Sequence, residues 1–219
     1  MIMTQSNKVP FFSVIITTFN RKKLLLRALR SVLEQGYKDW ECIIVDDGST
    51  DGTHSEIIPY CREDEKIKYI FQNNRGPGLA KNTGILAASG LFVTFLDSDD
   101  EYLSDHLDMQ HKLLTTYPDT DLLHSKALII GDPFVPDAKD PKKLVHLNDC
   151  IIGGTFVVKR YKALEIGGYP PLRYADDTAF YEKAKENDLM IRKAGTKTYK
   201  YYRDTLDSLC NLMIKDKEK

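Results

Sequence analysis

LFVTFLDSDD, residues 91–100, sets six apolar or β-branched positions directly against four acidic and hydroxyl ones. A run of this kind predicts a strand buried on both faces, cut off abruptly by Asp97-Ser98-Asp99-Asp100. The same switch recurs upstream. FSVIIT (12–17) is followed by Thr18, Phe19, Asn20 and Arg21, and WECIIV (40–45) by DDGSTDG (46–52). KIKYIF (66–71) is followed by a glycine loop, NNRGPG (73–78). Helical signals fill the gaps. Asn20 is the expected N-cap of a helix with an apolar stripe of Leu24, Leu25, Ala28, Leu29, Val32 and Leu33, stopped by Gly36. A second helix, short or kinked, contains Pro59, and a third opens at the glycine loop and closes at Gly90. Strands alternating with helices predict an α/β chain with a mostly parallel, Rossmann-like sheet and right-handed crossovers. Ligands bind such sheets at the carboxyl ends of the strands. Thr17, Thr18 and Asn20, Asp46 and Asp47, Asn73 to Arg75, and Asp97 and Asp99 all fall on that rim. Their convergence points to a site more strongly than any one cluster.

The second half is less regular. Ser104 is the expected cap of a helix with Leu107, Leu113 and Leu114, followed by one strand over Leu122 to Ile130. Gly131 to Asn148, with three prolines, is expected as a loop and as a candidate lid. Thr155 to Lys159 reads as a strand, and a short helix ends at Gly167-Gly168. A helix runs from Asp176 to Glu186, and Thr196 to Tyr202 alternates as a strand. Leu206, Leu209, Cys210, Met213 and Ile214 suit a last amphipathic helix.

The chain has 219 residues, 42% hydrophobic and 29% charged, with a formal net charge of -1. That fits one globular domain and gives no global attraction to nucleic acid or anionic lipid. Cys42, Cys61, Cys150 and Cys210 form no CxxC pair, so reduced thiols are expected rather than a zinc site or disulfide framework. Residues 1–10 lack a signal-peptide pattern, and no run reaches the ~18 apolar residues that span a bilayer. The expected setting is cytoplasmic, with peripheral contact at the cytoplasmic membrane face as its variant.

Asp97 and Asp99 alternate in an extended segment and so can act on one ligand. Carboxylates beside a dense anion make sense when a divalent cation lies between them, and Mg²⁺ or Mn²⁺ takes one or two carboxylates plus substrate phosphates. Asp46 is read as an acceptor for a base or ribose, while 48–53 form the turn and cap. Arg21, Lys22 and Lys23 are expected to be a solvated face. Arg75 and Lys81 flank the glycine loop, where backbone N–H groups suit phosphate oxygens. Lys81 occupies the third glycine position of a dinucleotide fingerprint, which disfavours a dehydrogenase. Asp176-Asp177, at a helix start, serve either as capping residues or as a general base for an acceptor hydroxyl. The five histidines form no ligand pair and are expected on helical surfaces or loops.

SVIITTFNR (13–21), SVLEQGYKDWECIIVDDGSTDGT (31–53), NNRGPGLAKNTGILAASG (73–90) and FLDSDD (95–100) resemble the family-2 glycosyltransferases with the GT-A fold. GGTFVVKRYKALEIGGYP (153–170) and YADDTAF (174–180) are similar to later blocks of that family. The resemblance implies an inverting transfer from a nucleoside-diphosphate sugar, a UDP-sugar by family preference, to a saccharide or lipid-linked saccharide hydroxyl, in cell-surface polysaccharide or glycan synthesis. It implies Mn²⁺ or Mg²⁺ held chiefly by Asp99 with Asp97, and Asp177, with Asp176 beside it, as the base. Thr17, Phe19 and Asp46 would surround the nucleotide base, with Asp97 or Ser98 near the ribose. Asn20, Asn74, Gly76 and Lys81 complete the expected donor rim. Two departures stand out. Lys81 replaces the usual arginine, and no histidine follows Asp177. Tyr202-Arg203 is a further candidate to face the diphosphate. The expected organisation is an extension at 1–8, a nucleotide-sugar half at 9–100 and a mixed acceptor half at 101–219, in a single domain. The rivals are an inactive nucleotide-sugar-binding protein on this fold, a sugar nucleotidyltransferase and a phosphoacceptor receiver domain.

Overall fold

Phe12–Thr18 (β1) is buried along nearly its whole length because its alternate residues feed two different cores. Val14 and Ile16 point to one face and Ile15 to the other. This computed structural model describes residues 8–137, 140, 142–172 and 175–203. The last amphipathic helix expected at Leu206 to Ile214, and most of the 1–8 extension, lie outside them.

After β1 come Lys22–Leu33 (α1), Trp40–Asp46 (β2), Thr53–Glu63 (α2), Ile67–Phe71 (β3), Pro77–Ala87 (α3) and Phe92–Asp97 (β4). Glu101–Tyr102 (β5), His106–Thr116 (α4), Leu122–His124 (β6), Ala127–Ile130 (β7), Phe134–Pro136 (β8) and Leu144–His146 (β9) follow. Val157–Lys159 (β10), Arg160–Glu165 (α5), Asp176–Glu186 (α6), Ile191–Lys193 (β11) and Tyr199–Tyr202 (β12) complete the described chain. The main sheet has the order β11-β6-β10-β4-β1-β2-β3. β3, β2, β1 and β4 are mutually parallel, while β10 runs antiparallel to β4 and β6. The chain moves outward from β1 through β2 to β3 and then returns to β4 on the other side of β1. The strand order therefore reverses between β1 and β4, which is where such sheets open a ligand crevice.

Leu25, Ala28, Leu29 and Val32 of α1 pack on one face of this sheet with Ile57 and Leu107. Ala80 and Ile85 of α3, Ala163 of α5 and Phe180 of α6 pack on the other. Gly84 lets α3 lie flat on β1, since a Cβ there would sit 2.4 Å from Ile15 Cγ2.

Beyond β4 the architecture departs from the sequence reading in several places, among them two short strands that it did not expect, β5 and β11. The single strand expected over Leu122 to Ile130 is two, β6 in the main sheet and β7 in a small sheet ordered β5-β12-β7. Ser125 and Lys126 form the break. The expected loop at Gly131 to Asn148 contains a β8–β9 ladder, Phe134 opposite His146, pinned by buried Val135 and Leu147. Asp105 rather than Ser104 occupies the N-cap of α4. Among the described residues, no helix is long and apolar enough to cross a membrane. Cys42 is buried, Cys61 and Cys150 are half-buried, and none of the three is in a disulfide.

His106 and His124 correct the expectation of surface histidines, since both are buried. His106 stacks on Tyr102 at 3.8 Å, and its Nδ1 lies 2.8 Å from Thr198 Oγ1. Burial pushes its imidazole down to about 3, partly opposed by Thr198. The unfolded chain binds this proton near the ordinary histidine value, so His106 stabilises the fold fully above about 6.5 and loses that contribution as pH falls toward 3. Urea unfolding of wild type and His106→Gln should show their stability gap shrinking by about 2 kcal/mol between pH 7 and pH 5. A gap independent of pH would contradict this reading.

Candidate active site

Strand register fixes the rim. Thr17 lies opposite Asp97, Thr18 opposite Asp46, and Asp46 opposite Phe71. Just past β1, Phe19 is 46% exposed, and Asn20 adopts a left-handed backbone with φ 52°. Asn20 is not the helix cap expected of it. Its N–H donates to Ser49 Oγ at 2.7 Å, and its Oδ1 accepts the Thr50 N–H at 2.7 Å, tying the β1 end to the β2–α2 loop. The first-turn N–H of Lys22 is received instead by Asp51, at 3.0 Å. Asp51 also accepts from Thr53, so one carboxylate joins the starts of α1 and α2.

Asp46 is fully buried. Its Oδ1 accepts the Ser49 N–H at 2.8 Å and its Oδ2 the Tyr69 hydroxyl at 2.6 Å, so both oxygens brace the turn. Each oxygen retains a second acceptor position. Asp47 holds the glycine loop. It accepts from Gln72 Nε2 at 2.6 Å, Arg75 N at 2.9 Å and Gly76 N at 2.8 Å. Gly76, at φ 90° and ψ 163°, makes a bend that a side chain would strain, and Pro77 then starts α3. Asn74 and Arg75 are exposed on this loop.

At the end of β4, Asp97 is half-buried, while Ser98, Asp99 and Asp100 are buried. Asp100 is structural: it accepts from the Tyr199 hydroxyl at 2.6 Å and Tyr202 N at 2.8 Å, anchoring β12 beneath the rim. Burial holds its carboxyl well above the ordinary range, with Asp99 and Asp97 adding to the rise. Arg21, expected on a solvated face, instead has Nη1 2.9 Å from Asp99 Oδ2, with both side chains largely enclosed. Arg27 donates to the Asp99 carbonyl, pairs with Glu101 at 3.1 Å and stacks over Tyr202 at 4.0 Å. Tyr202 and Arg203, the further candidates to face a diphosphate, both have protein partners. Tyr202 donates to Glu101, and Arg203 donates to the carbonyls of Asp132 and Phe134.

Lys81, in α3, reaches across to α6, where its Nζ lies 2.9 Å from Asp176 Oδ2. It also sits 5.0 Å from the Tyr169 ring. Burial disfavours the ammonium, but Asp176 foremost and then Asp97 hold it charged above the ordinary lysine range. Asp177 follows in the first turn of α6, accepting Gly153 N–H at 3.0 Å and Thr178 N–H at 2.7 Å. Gly153 is needed there, since a Cβ would meet Asp177 Cβ at 2.5 Å. Burial raises the Asp177 carboxyl, Lys81 opposes and Asp176 adds to the rise. Burial likewise pushes Asp97 up to about 6, with Lys81 opposing and Asp99, Asp176 and Asp177 adding. Carboxylates about eighty positions apart therefore feel one another around a single buried lysine.

Among the described residues, no three or more His, Cys, Asp or Glu side chains form a self-sufficient metal cage. The donor set of Asp97 and Asp99 nevertheless fits Mg²⁺ or Mn²⁺, which are satisfied by one or two carboxylates when phosphate oxygens supply the rest. A groove of about 540 Å³ runs beside α1, lined by Lys23, Arg27, Arg30, Glu101 and Lys200, and none of the rim carboxylates line it. Asn82, unremarked in the sequence, grips the backbone of Tyr169 in both directions at 2.7 and 2.8 Å and positions the segment before α6. An asparagine set between Lys81 and Thr83, in a helix whose other residues are apolar or glycine, was its signal.

The profile of Glycosyl transferase family 2 matches residues 13–136. An uncharacterized glycosyltransferase of Rickettsia conorii is 44% identical over 102 residues, 47% of this chain but only 17% of the relative's length. UDP-Glc:alpha-D-GlcNAc-diphosphoundecaprenol beta-1,3-glucosyltransferase WfgD of Escherichia coli is 28% identical over 193 residues, 86% of this chain and 76% of WfgD. The crystal structure of S. aureus TarS 1-349 in complex with UDP-GlcNAc superposes with a TM-score of 0.73 at 25% identity, covering 89% of this chain and 59% of TarS.

Proposed function

The chain belongs to glycosyl transferase family 2 with a GT-A fold, and from that membership we propose an inverting transfer of a sugar from a UDP-sugar to a hydroxyl of a lipid-linked saccharide. The observation that carries it is the carboxylate set around Lys81, placed where the strand order reverses: Asp97 at the end of β4, and Asp176 and Asp177 at the start of α6. TarS in complex with UDP-GlcNAc supports a UDP-sugar donor, and the name of WfgD supports a lipid-linked acceptor. With such an acceptor, this chain would work against the cytoplasmic face of a membrane.

In this reading Thr17, Phe19, Asn20, Asp46 and Asn74 line the nucleotide end, with Asp97 and Ser98 at the ribose. Asp99, with Asp97, would hold Mn²⁺ or Mg²⁺, which when bound neutralises charge building on the leaving diphosphate. The Gly76 N–H is committed to Asp47, so Gly76 acts by shaping the loop rather than by donating to phosphate. Asp177 removes the acceptor proton while the hydroxyl attacks the anomeric carbon from the face opposite the diphosphate. The N–H groups of Gly153 and Thr178 fix its orientation, and its raised carboxyl makes it a stronger base than an exposed aspartate. Lys81, paired with Asp176 at 2.9 Å, tempers the repulsion between the two neighbouring carboxylates.

The test is a screen of nucleotide sugars for thermal stabilisation and Mn²⁺-dependent hydrolysis. One UDP-sugar is expected to stand out in both. Stabilisation with no turnover, even with polyprenyl-diphosphate saccharides present, would favour the inactive binding protein, and no response to any nucleotide sugar would sink the proposal.

A further inference from the structure

The pairing of Arg21 with Asp99 places a cation on the carboxylate that the proposed reaction assigns to the metal. Arg21 Nη1 lies 2.9 Å from Asp99 Oδ2, with the two side chains only 17% and 12% exposed. Arg21 is also the N-cap residue of α1, a helix with no acidic residue in its first turn and with Lys22 and Lys23 next in line. Positive charge at a helix start is opposed by the helix dipole, so these cations suit an anion brought to that point. Asp99 supplies part of that charge in the free protein. A diphosphate would supply more, and a guanidinium matches phosphate oxygens in a two-pronged geometry.

Resting on the metal–diphosphate reading above, we infer that Arg21 is a positioning residue that couples metal to donor. It guards Asp99 against a bare divalent cation and releases it when a nucleotide diphosphate arrives to take the guanidinium. The Asp99 backbone does not need to move for this exchange, because Arg27 holds its carbonyl independently. Metal bound without nucleotide must displace Arg21 from Asp99 Oδ2. Metal bound with nucleotide leaves Arg21 a new partner. The two ligands therefore favour each other beyond what direct metal–phosphate contact provides, and by linkage the effect is reciprocal.

Free Mn²⁺ measured by electron paramagnetic resonance, with and without saturating UDP, reads the coupling without any turnover. In Arg21→Gln, Mn²⁺ alone should bind about 10-fold more tightly than in wild type, and the factor by which UDP strengthens Mn²⁺ binding should fall by about the same amount. The gain should vanish in Arg21→Gln/Asp99→Asn, which assigns it to Asp99. Arg21→Lys, which keeps the charge, should restore much of the wild-type coupling, and thermal melts of each variant report folding. Unchanged Mn²⁺ binding in a folded Arg21→Gln protein overturns the inference while leaving the transferase reading intact. Failure of the wild type to bind Mn²⁺ even with UDP overturns both.

Discussion

Asp177→Asn is expected to lower the rate of sugar transfer by ~10²–10⁴-fold while leaving donor binding close to wild type. The carboxylate has one hydrogen bond per oxygen, from Gly153 N–H at 3.0 Å and Thr178 N–H at 2.7 Å. Each oxygen keeps a second acceptor position, so Asp177 can receive an acceptor hydroxyl without giving up either anchor. Asparagine keeps the shape but cannot take the proton, and its amide nitrogen would face one of those N–H donors. The loss should appear in kcat with acceptor saturating, and isothermal titration with the preferred nucleotide sugar should show an affinity within about 3-fold of wild type, since the proposed donor contacts are assigned to other residues. A variant retaining more than about a tenth of wild-type kcat would remove Asp177 from the role of base.

Lys81→Met should be the most destabilising single change in the site, by roughly 3–5 kcal/mol in urea unfolding at neutral pH. Lys81 and Asp176 are 2.9 Å apart with side chains 7% and 10% exposed, so removing the cation strands a buried carboxylate. The paired change Lys81→Met/Asp176→Leu should recover most of that loss, because the penalty comes from the orphaned charge rather than from a missing attraction. Asp97 and Asp177 also lose the cation that pulls their carboxyls down. The acid limb of the pH–rate profile should therefore move to higher pH in whatever fraction of Lys81→Met stays folded. A single variant within about 1 kcal/mol of wild type would show that solvent, not Lys81, compensates Asp176.

The central strands could be read from sequence because buried parallel strands are continuous apolar runs. β1, β2, β3 and β4 each fall within a residue of the expected bounds, and their polar ends mark the rim. What failed depended on tertiary partners. Arg21 looked solvated because its partner lies 78 positions away, on another strand end, yet its unfavourable place at a helix start was a readable demand for an anion. His106 and His124 gave no periodic signal that separates a buried imidazole from an exposed one. Leu122 to Ile130 reads as one strand although His124, Ser125 and Lys126 interrupt its apolar residues, and the two halves go to different sheets, a destination that no local pattern carries. Asn20 has the residue type of a cap, and only the approach of the β2–α2 loop diverts its side chain.

The most direct measurement is the anomalous diffraction signal of Mn²⁺ in crystals grown with UDP. The account predicts one strong peak in direct coordination to an Asp99 oxygen and to the diphosphate, with Asp177 facing it across the same cleft. A peak away from Asp99, or a nucleotide bound where Asp177 cannot face the sugar, would contradict it.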